Sequence, residues 1–126
     1  MKKIFVVDDE VTVLEYVKTA LQNLDYQIFC ADNAEEGIKR ITEEKPDLIL
    51  LDIMLPDMDG ISVCRKLRSG PVTKDIPIII LTSLSDAATI QNAFFYGAAD
   101  FMPKPFDLKI LKSKIEKALQ KSGKDK

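Results

Sequence analysis

The sequence predicts an α/β fold: a five-stranded parallel sheet, doubly wound by five helices into three layers. Three observations carry this prediction. Strand-length apolar runs alternate with segments of helical period along almost the whole chain, so each strand is followed by a crossover helix. The clearest runs are continuously apolar rather than alternating, which marks strands buried on both faces, the habit of parallel sheets. With 126 residues the chain has the size of one domain around one core, too short for a substrate cleft between two lobes.

The first strand is Ile4-Phe5-Val6-Val7, bounded by Lys3 and Asp8. Residues 11 to 24 follow as a helix, because Leu14, Val17, Leu21 and Leu24 recur at i, i+3, i+7 and i+10 and form one stripe. Gln27 to Ala31 is the second strand. Asn33 and Glu36 have capping-box spacing, and Glu35/Lys39 and Glu36/Arg40 are i,i+4 pairs, so residues 34 to 44 form a helix that Pro46 stops. Leu48-Ile49-Leu50-Leu51 is the third strand, ended by Asp52, and Ile61, Cys64 and Leu67 mark the helix beyond the turn at Asp59-Gly60. Ile76 to Leu81 is the fourth strand, with Pro77 near its start, where a missing N–H is best tolerated. Ser85 or Asp86 can cap a helix carrying Ile90, Ala93 and Phe94, which Gly97 closes. Ala99 to Met102 is a short fifth strand. Leu108, Leu111, Ile115 and Leu119 give the last helix, so the domain spans residues 1–120 and residues 121–126 form a polar tail or the start of a linker.

Composition narrows the chemistry. The formal charge is −2, which gives no reason to expect nucleic acid as the main ligand, but residues 1–63 carry −8 and residues 64–126 carry +6. An acidic half can attract a cation, and a basic half can offer a docking surface. There is no apolar run long enough for a membrane span and no signal-peptide pattern, so a soluble, cytoplasmic protein is expected. Cys30 and Cys64 both sit in apolar surroundings and are expected to be buried, reduced thiols. Histidine is absent, which removes imidazole-based zinc sites and Ser-His or Cys-His nucleophile pairs. Carboxylates, hydroxyls and lysine remain.

Those groups stand at the carboxyl ends of the predicted strands, where an open α/β sheet collects its ligand. Asp8 and Asp9 follow the first strand, Asp52 the third, Thr82 and Ser83 the fourth, and Lys104 the fifth. Taken singly, each has an ordinary explanation as a cap, a turn residue or a surface lysine. Jointly they make a site. Three carboxylates brought together repel unless a cation neutralises them, and an all-oxygen donor set suits a hard ion such as Mg2+. One carboxylate is then available as a nucleophile toward phosphorus, with lysine and a hydroxyl to hold the transferred group.

The motifs VVDDE at 6–10, LILLDIMLPDMDG at 48–60, IIILTSLSD at 78–86 and GAADFMPKPF at 97–106 occur in an order and spacing that resembles the receiver domains of bacterial two-component response regulators, including the chemotaxis-regulator type. The match runs from Lys3 to about Leu119. The resemblance implies a flavodoxin-like strand order, 2-1-3-4-5. It implies that Asp8 and Asp9 bind Mg2+, that Asp52 is the phosphorylation site and also touches the metal, and that the Met54 carbonyl completes the protein ligands. Thr82 and Lys104 would contact the phosphoryl oxygens, and Phe101 would change rotamer as Thr82 moves inward. Lys104-Pro105 would be a cis peptide.

On this resemblance the protein is a phosphorylation-activated signalling switch that catalyses only its own phosphorylation and dephosphorylation. The phosphoryl group comes from a histidine kinase or a phosphotransfer protein. Output to a downstream protein is expected at the face of the fourth helix, fifth strand and fifth helix, where Phe94, Phe95 and Tyr96 cluster and Lys109, Lys112, Lys114, Lys117 and Lys121 make the last helix basic. At least one of the three rings is expected to be exposed, with Phe94 packed against the neighbouring helix. A phosphorylation-dependent homodimer on this face is left open, and direct nucleic-acid or membrane binding is not expected of this segment. Met54 and Leu84 cannot hydrogen-bond an attacking water, which points to a comparatively long-lived aspartyl phosphate. Two other readings compete: a Mg2+-dependent phosphatase with an aspartyl nucleophile, which generally carries a DxD pattern after its first strand, and a non-phosphorylated interaction scaffold. A flavodoxin-like cofactor binder is disfavoured because Asp8-Asp9-Glu10 would repel a phosphate and no GxGxxG or P-loop pattern is present.

Overall fold

The computed structural model describes residues 1–83 and 87–122. Strands and helices alternate as β1 (Lys3–Val7), α1 (Val11–Gln22), β2 (Gln27–Ala31), α2 (Ala34–Glu44), β3 (Leu48–Asp52), α3 (Gly60–Ser69), β4 (Ile78–Thr82), α4 (Ala87–Phe95), β5 (Asp100–Pro103) and α5 (Leu108–Ser122). All pairings are parallel and the sheet order is β2-β1-β3-β4-β5, the order the resemblance implied. The chain first steps outward from β1 to β2 and then returns past β1 to β3. That reversal makes the β1/β3 crevice the switch point of the sheet.

The period of two along each strand divides the core into two layers. Phe5, Val7, Ile49, Leu51, Ile78 and Ile80 face α2, α3 and α4, where Ile41, Val63, Leu67 and Ala93 meet them. Ile4, Val6, Leu48, Leu50, Ile79 and Leu81 face α1 and α5, against Val17, Leu21, Leu111 and Ile115. Every residue of β3 and β4 is buried, which explains their unbroken apolar runs.

Several ends differ from the sequence expectations for local reasons. The helix expected over residues 11 to 24 stops at Gln22: the Leu24 N–H bonds the Leu21 carbonyl and Asp25 turns left-handed at φ 66°. Leu24 is consequently 38% exposed and leaves the buried stripe. β4 begins at Ile78, not Ile76, because Pro77 has no N–H to give and contributes only its carbonyl, which accepts from Ile49 N–H at 3.0 Å. α2 ends through Lys45 in the left-handed region, φ 51°, since Pro46 disfavours the helical conformation in the residue before it. Asn33 accepts from Glu36 N–H at 2.9 Å, the local cap its spacing predicts. α4 closes in a Schellman motif, Gly97 N–H to Phe94 carbonyl and Ala98 N–H to Ala93 carbonyl, with Gly97 at φ 106°. Ser85 and Asp86, the expected caps of α4, lie outside the described residues, as do Leu84 and residues 123–126 of the polar tail. α5 runs on through Lys121.

Of the two thiols, Cys64 is buried and desolvation pushes it up to about 11, whereas Cys30 is only half-buried, at the edge strand β2. Among the described residues no helix is long and apolar enough to cross a membrane.

Candidate functional site

β1, β3, β4 and β5 end on one side of the sheet, and their register delivers polar residues to a common place. Asp8 follows directly on β1 and is fully buried; Asp52 closes β3 at 4% exposure; Thr82 closes β4 at 1%. Lys104 follows β5, its N–H donating to the Thr82 carbonyl at 2.8 Å, which extends the β4/β5 pairing by one bond and fixes where the lysine departs. The Lys104-Pro105 peptide is cis.

The Lys104 ammonium lies among three carboxylates: Asp8 Oδ2 at 2.7 Å, Glu10 Oε1 at 2.9 Å and Asp52 Oδ2 at 3.3 Å. The other oxygens of the two aspartates bond the chain beyond them. Asp8 Oδ1 accepts from Glu10 N–H at 2.9 Å, and Asp52 Oδ1 accepts from Met54 N–H at 3.1 Å. The turn role considered for Asp52 is therefore present, yet it occupies one oxygen and leaves the second facing the lysine.

Burial pushes the Asp52 carboxyl above its ordinary value, and the Asp8 charge adds to that; the Met54 N–H and Lys104 oppose it. Burial would lower the Lys104 ammonium, but hydrogen bonds to Asp8 and Glu10 and the charges of Asp8 and Asp52 outweigh it and raise the pKa. The lysine is thus held as a cation, while Asp52 carries its charge against the cost of burial.

Carboxylate oxygens of Asp8, Glu10 and Asp52 lie within 4.8 Å of one another. All donors are hard oxygens, the chemistry of an Mg2+ site. Asp8 Oδ2 is buried, and the partner close to it is the Lys104 ammonium at 2.7 Å, which Glu10 and Asp52 share. One ammonium shared by three carboxylates leaves negative charge uncompensated, and that surplus on hard oxygen donors fits a divalent cation.

Asp9 is exposed and is not part of this close group. Nor does it cap α1: the N-cap is Glu10, whose side chain makes no capping bond and reaches Lys104 instead. Glu10 was not among the residues singled out from the sequence. The chain bends at Asp9, and the Glu10 N–H closes back on Asp8 Oδ1 at 2.9 Å, which leaves Glu10 beside Asp8 and Asp9 exposed. Met54 is 54% exposed, and a bridge between Met54 and Asp59 narrows the β3–α3 loop. Gly60 makes that narrowing possible: a Cβ there would stand 2.6 Å from Ile53 Cα and 2.7 Å from the Asp52 carbonyl oxygen.

Phe101, on the edge strand β5, is partly exposed and meets Phe94 edge-on at 6.3 Å. Phe94 is nonetheless 43% exposed, so the packing expected of it is partial, and its neighbour is Phe101. Phe95 is 79% exposed, and Tyr96 is half-buried beneath the Arg65 guanidinium. Lys114 pairs with Asp100 at 3.0 Å and stands over the Phe101 ring. A second feature invisible in the sequence is Arg68, which donates to the carbonyls of Gly97 and Lys74 and ties α3 to the approaches of β4 and β5.

The sequence model of the family described as the response regulator receiver domain matches residues 4–116. Among curated relatives, the transcriptional regulatory protein CrdR of Helicobacter pylori is 38% identical over 116 residues, 92% of this chain and 54% of that protein. The phosphate regulon transcriptional regulatory protein PhoB of Pseudomonas aeruginosa is 37% identical over 122 residues, 97% of this chain and 53% of that protein. The chain spans about half the length of the curated relatives it matches. Among solved structures, a CheY-like response regulator receiver domain protein of Methanospirillum hungatei superposes with a TM-score of 0.93 at 28% identity, covering 100% of this chain and 99% of that one. A two-component response regulator of Clostridium difficile gives 0.90 at 35% identity, covering 95% and 97%.

Proposed function

The chain belongs to the response regulator receiver domain family of two-component systems, and from that premise we propose that it is a phosphorylation switch with Asp52 as the acceptor. The observation that supports this best is the environment of Asp52: a buried carboxylate with one oxygen fixed by Met54 N–H and the other turned toward the Lys104 ammonium. An oxygen of Asp52 attacks phosphorus, a P–O bond forms, and the bond from phosphorus to the donor breaks, the electron pair leaving with the donor atom. The donor is a phosphohistidine on a partner kinase or phosphotransfer protein, or a small acyl phosphate.

Asp8, Asp52 and the Met54 carbonyl would hold Mg2+, together with Asp9 once it turns in from its exposed position, and the ion would supply charge compensation for the acids and the incoming phosphoryl oxygens. Lys104 shifts from the carboxylate cluster to a phosphoryl oxygen, an exchange of one anionic partner for another that needs no change in its protonation. The Thr82 hydroxyl donates to a second phosphoryl oxygen. Its inward movement favours the state in which Phe101, half-exposed at the sheet edge, turns into the space beside β4 and changes the α4–β5–α5 surface. Phe94 and the lysines of α5 give that surface an aromatic and cationic character suited to an acidic protein partner or a second copy of the chain, while Phe95 stands on the α3 side of α4 beside Arg65 and Arg68. Between α1 and the β5–α5 connection, a groove bordered by Glu10, Val13, Tyr16, Lys104 and Phe106 offers a seat for the phosphodonor. CrdR and PhoB are transcriptional regulatory proteins by name, and transcriptional control is the output this reading favours for a protein carrying the segment.

The test is intact mass after incubation with acetyl phosphate. A single phosphoryl adduct that requires Mg2+ and is absent from Asp52→Asn is expected. An adduct that survives the substitution, or steady hydrolysis of phosphate esters without an adduct, contradicts the reading.

A further inference from the structure

The β3–α3 loop carries Met54, whose N–H fixes Asp52 and whose carbonyl stands in the proposed ligand set. Three features hold its base: the Gly60 N–H on the Ile53 carbonyl at 2.7 Å, the Met54–Asp59 bridge, and the packing of Leu55 and Met58 on the core. Its tip is held by something else. The Asp57 carboxylate leaves its own loop and caps α2, Oδ1 accepting from Ala34 N–H at 2.8 Å and Oδ2 from Glu35 N–H at 2.9 Å. These bonds cross 22 to 23 residues of sequence and join two βα connections that adjoin the site. Both oxygens are used, so the contact fixes the orientation of the loop as well as its distance.

The bonding has a charge side. A carboxylate that accepts two N–H groups at a helix N-terminus is stabilised in its ionised form, and Asp57 is accordingly lowered in pKa by the Ala34 and Glu35 N–H groups. α2 does not depend on Asp57 for its start, because Asn33 already caps it locally through Glu36 N–H. A second cap on a helix that has one adds to helix stability only modestly, but its two bonds are the only side-chain hydrogen bonds, among the described residues, from the tip at 56–58 to another element.

We propose that Asp57 is a positioning residue for the phosphoryl-acceptor site: by clamping the loop tip to the N-terminus of α2 it sets where Met54 stands relative to Asp52. This rests on the reading of Asp52 as the acceptor with Mg2+ at Asp8. The clamp acts through Met54 and touches neither metal nor phosphoryl group.

The experiment compares the wild type, Asp57→Ala, Asp57→Asn and Asn33→Ala by calorimetric Mg2+ titration, acetyl phosphate labelling and thermal unfolding. Asp57→Ala is expected to weaken Mg2+ binding about five- to tenfold and to slow labelling, while unfolding stays cooperative. Asp57→Asn, which keeps one acceptor oxygen, falls between it and the wild type. Asn33→Ala removes a cap from the same helix without touching the loop; it lowers the unfolding temperature and leaves Mg2+ affinity unchanged. Mg2+ affinity unaltered in Asp57→Ala overturns the proposal, as does an equal loss in Asn33→Ala, which would make both residues mere helix caps. A wild type that binds no Mg2+ and takes up no phosphoryl group overturns the acceptor reading itself, and the proposal with it.

Discussion

β3 holds two regions under the same burial with opposite chemistry. Leu48, Ile49, Leu50 and Leu51 are fully buried and pack into the two apolar core layers. One residue further, Asp52 is almost as buried, and it faces Asp8, Glu10 and Lys104. The first region gains free energy from every methylene removed from water. The second holds two buried carboxylates on one partly shared ammonium, an arrangement whose desolvation cost the Coulomb attraction repays poorly. The strand interior therefore carries stability and the strand end carries function, and the two should respond in opposite ways to substitution.

The largest effect belongs to the interior. Leu50→Ala, at a position without exposed surface, is expected to destabilise by about 3–5 kcal/mol in chemical denaturation. A loss under 1 kcal/mol would mean that the sheet centre tolerates a cavity and that the contrast is weaker than drawn. Next comes the cation. Lys104→Met strips the acid cluster of its counter-charge and should cost the metal-free protein about 2–3 kcal/mol, less than for a sealed ion pair because Glu10 is half-exposed and Asp52 can take up a proton. Mg2+ should recover more stability in this variant than in the wild type, since only in the variant is the cluster without any cation. Equal recovery in both would separate Lys104 from the metal site.

A smaller effect has the opposite sign. Asp52→Asn removes one of two neighbouring buried charges and should stabilise the metal-free protein near pH 7 by on the order of 1 kcal/mol, about 3–5 °C in Tm. The pH dependence follows from the raised carboxyl of Asp52. A group whose pKa is raised in the folded state binds its proton more tightly there, so its contribution favours folding below the unfolded pKa and is lost as pH rises through the folded value. The advantage of asparagine should therefore vanish in acid, below the ordinary aspartate range, where the wild-type carboxyl is itself neutral. An advantage that persists or grows in acid contradicts that origin. Smallest is Phe95→Ala: with the ring 79% exposed, stability should change by less than about 0.5 kcal/mol, while affinity for a partner docking on α4 falls.

The contrast along β3 was legible in the sequence, because an apolar run that stops on an acid is visible without coordinates. The same holds for Asp8 after β1, Thr82 at the end of β4 and Lys104 after β5. Strand order was not legible from periodicity, since alternation fixes the crossovers and not the side on which each strand is added; it came from the resemblance of the motifs. Glu10 was overlooked because adjacent acids look equivalent in a string, whereas the bend at Asp9 and the Glu10 N–H bond to Asp8 set Glu10 beside Asp8 and leave Asp9 exposed. Asp57 and Arg68 were beyond reach, for each acts by a side-chain bond to backbone more than twenty residues away, and no local spacing encodes such a bond. The early end of α1 belongs with them, because the left-handed Asp25 that diverts Leu24 from the core has no glycine to announce it.

The most direct test of the account is to locate the acyl phosphate chemically. After labelling with acetyl phosphate and Mg2+, borohydride reduces an aspartyl phosphate to homoserine at the residue that carried it, and peptide mass spectrometry assigns the position. Conversion at Asp52 alone is the predicted result. Conversion at Asp8, Asp9 or Asp57, or a phosphoryl adduct that borohydride leaves intact on a hydroxyl such as Thr82, would contradict the claim that the charged end of β3 is the reactive centre.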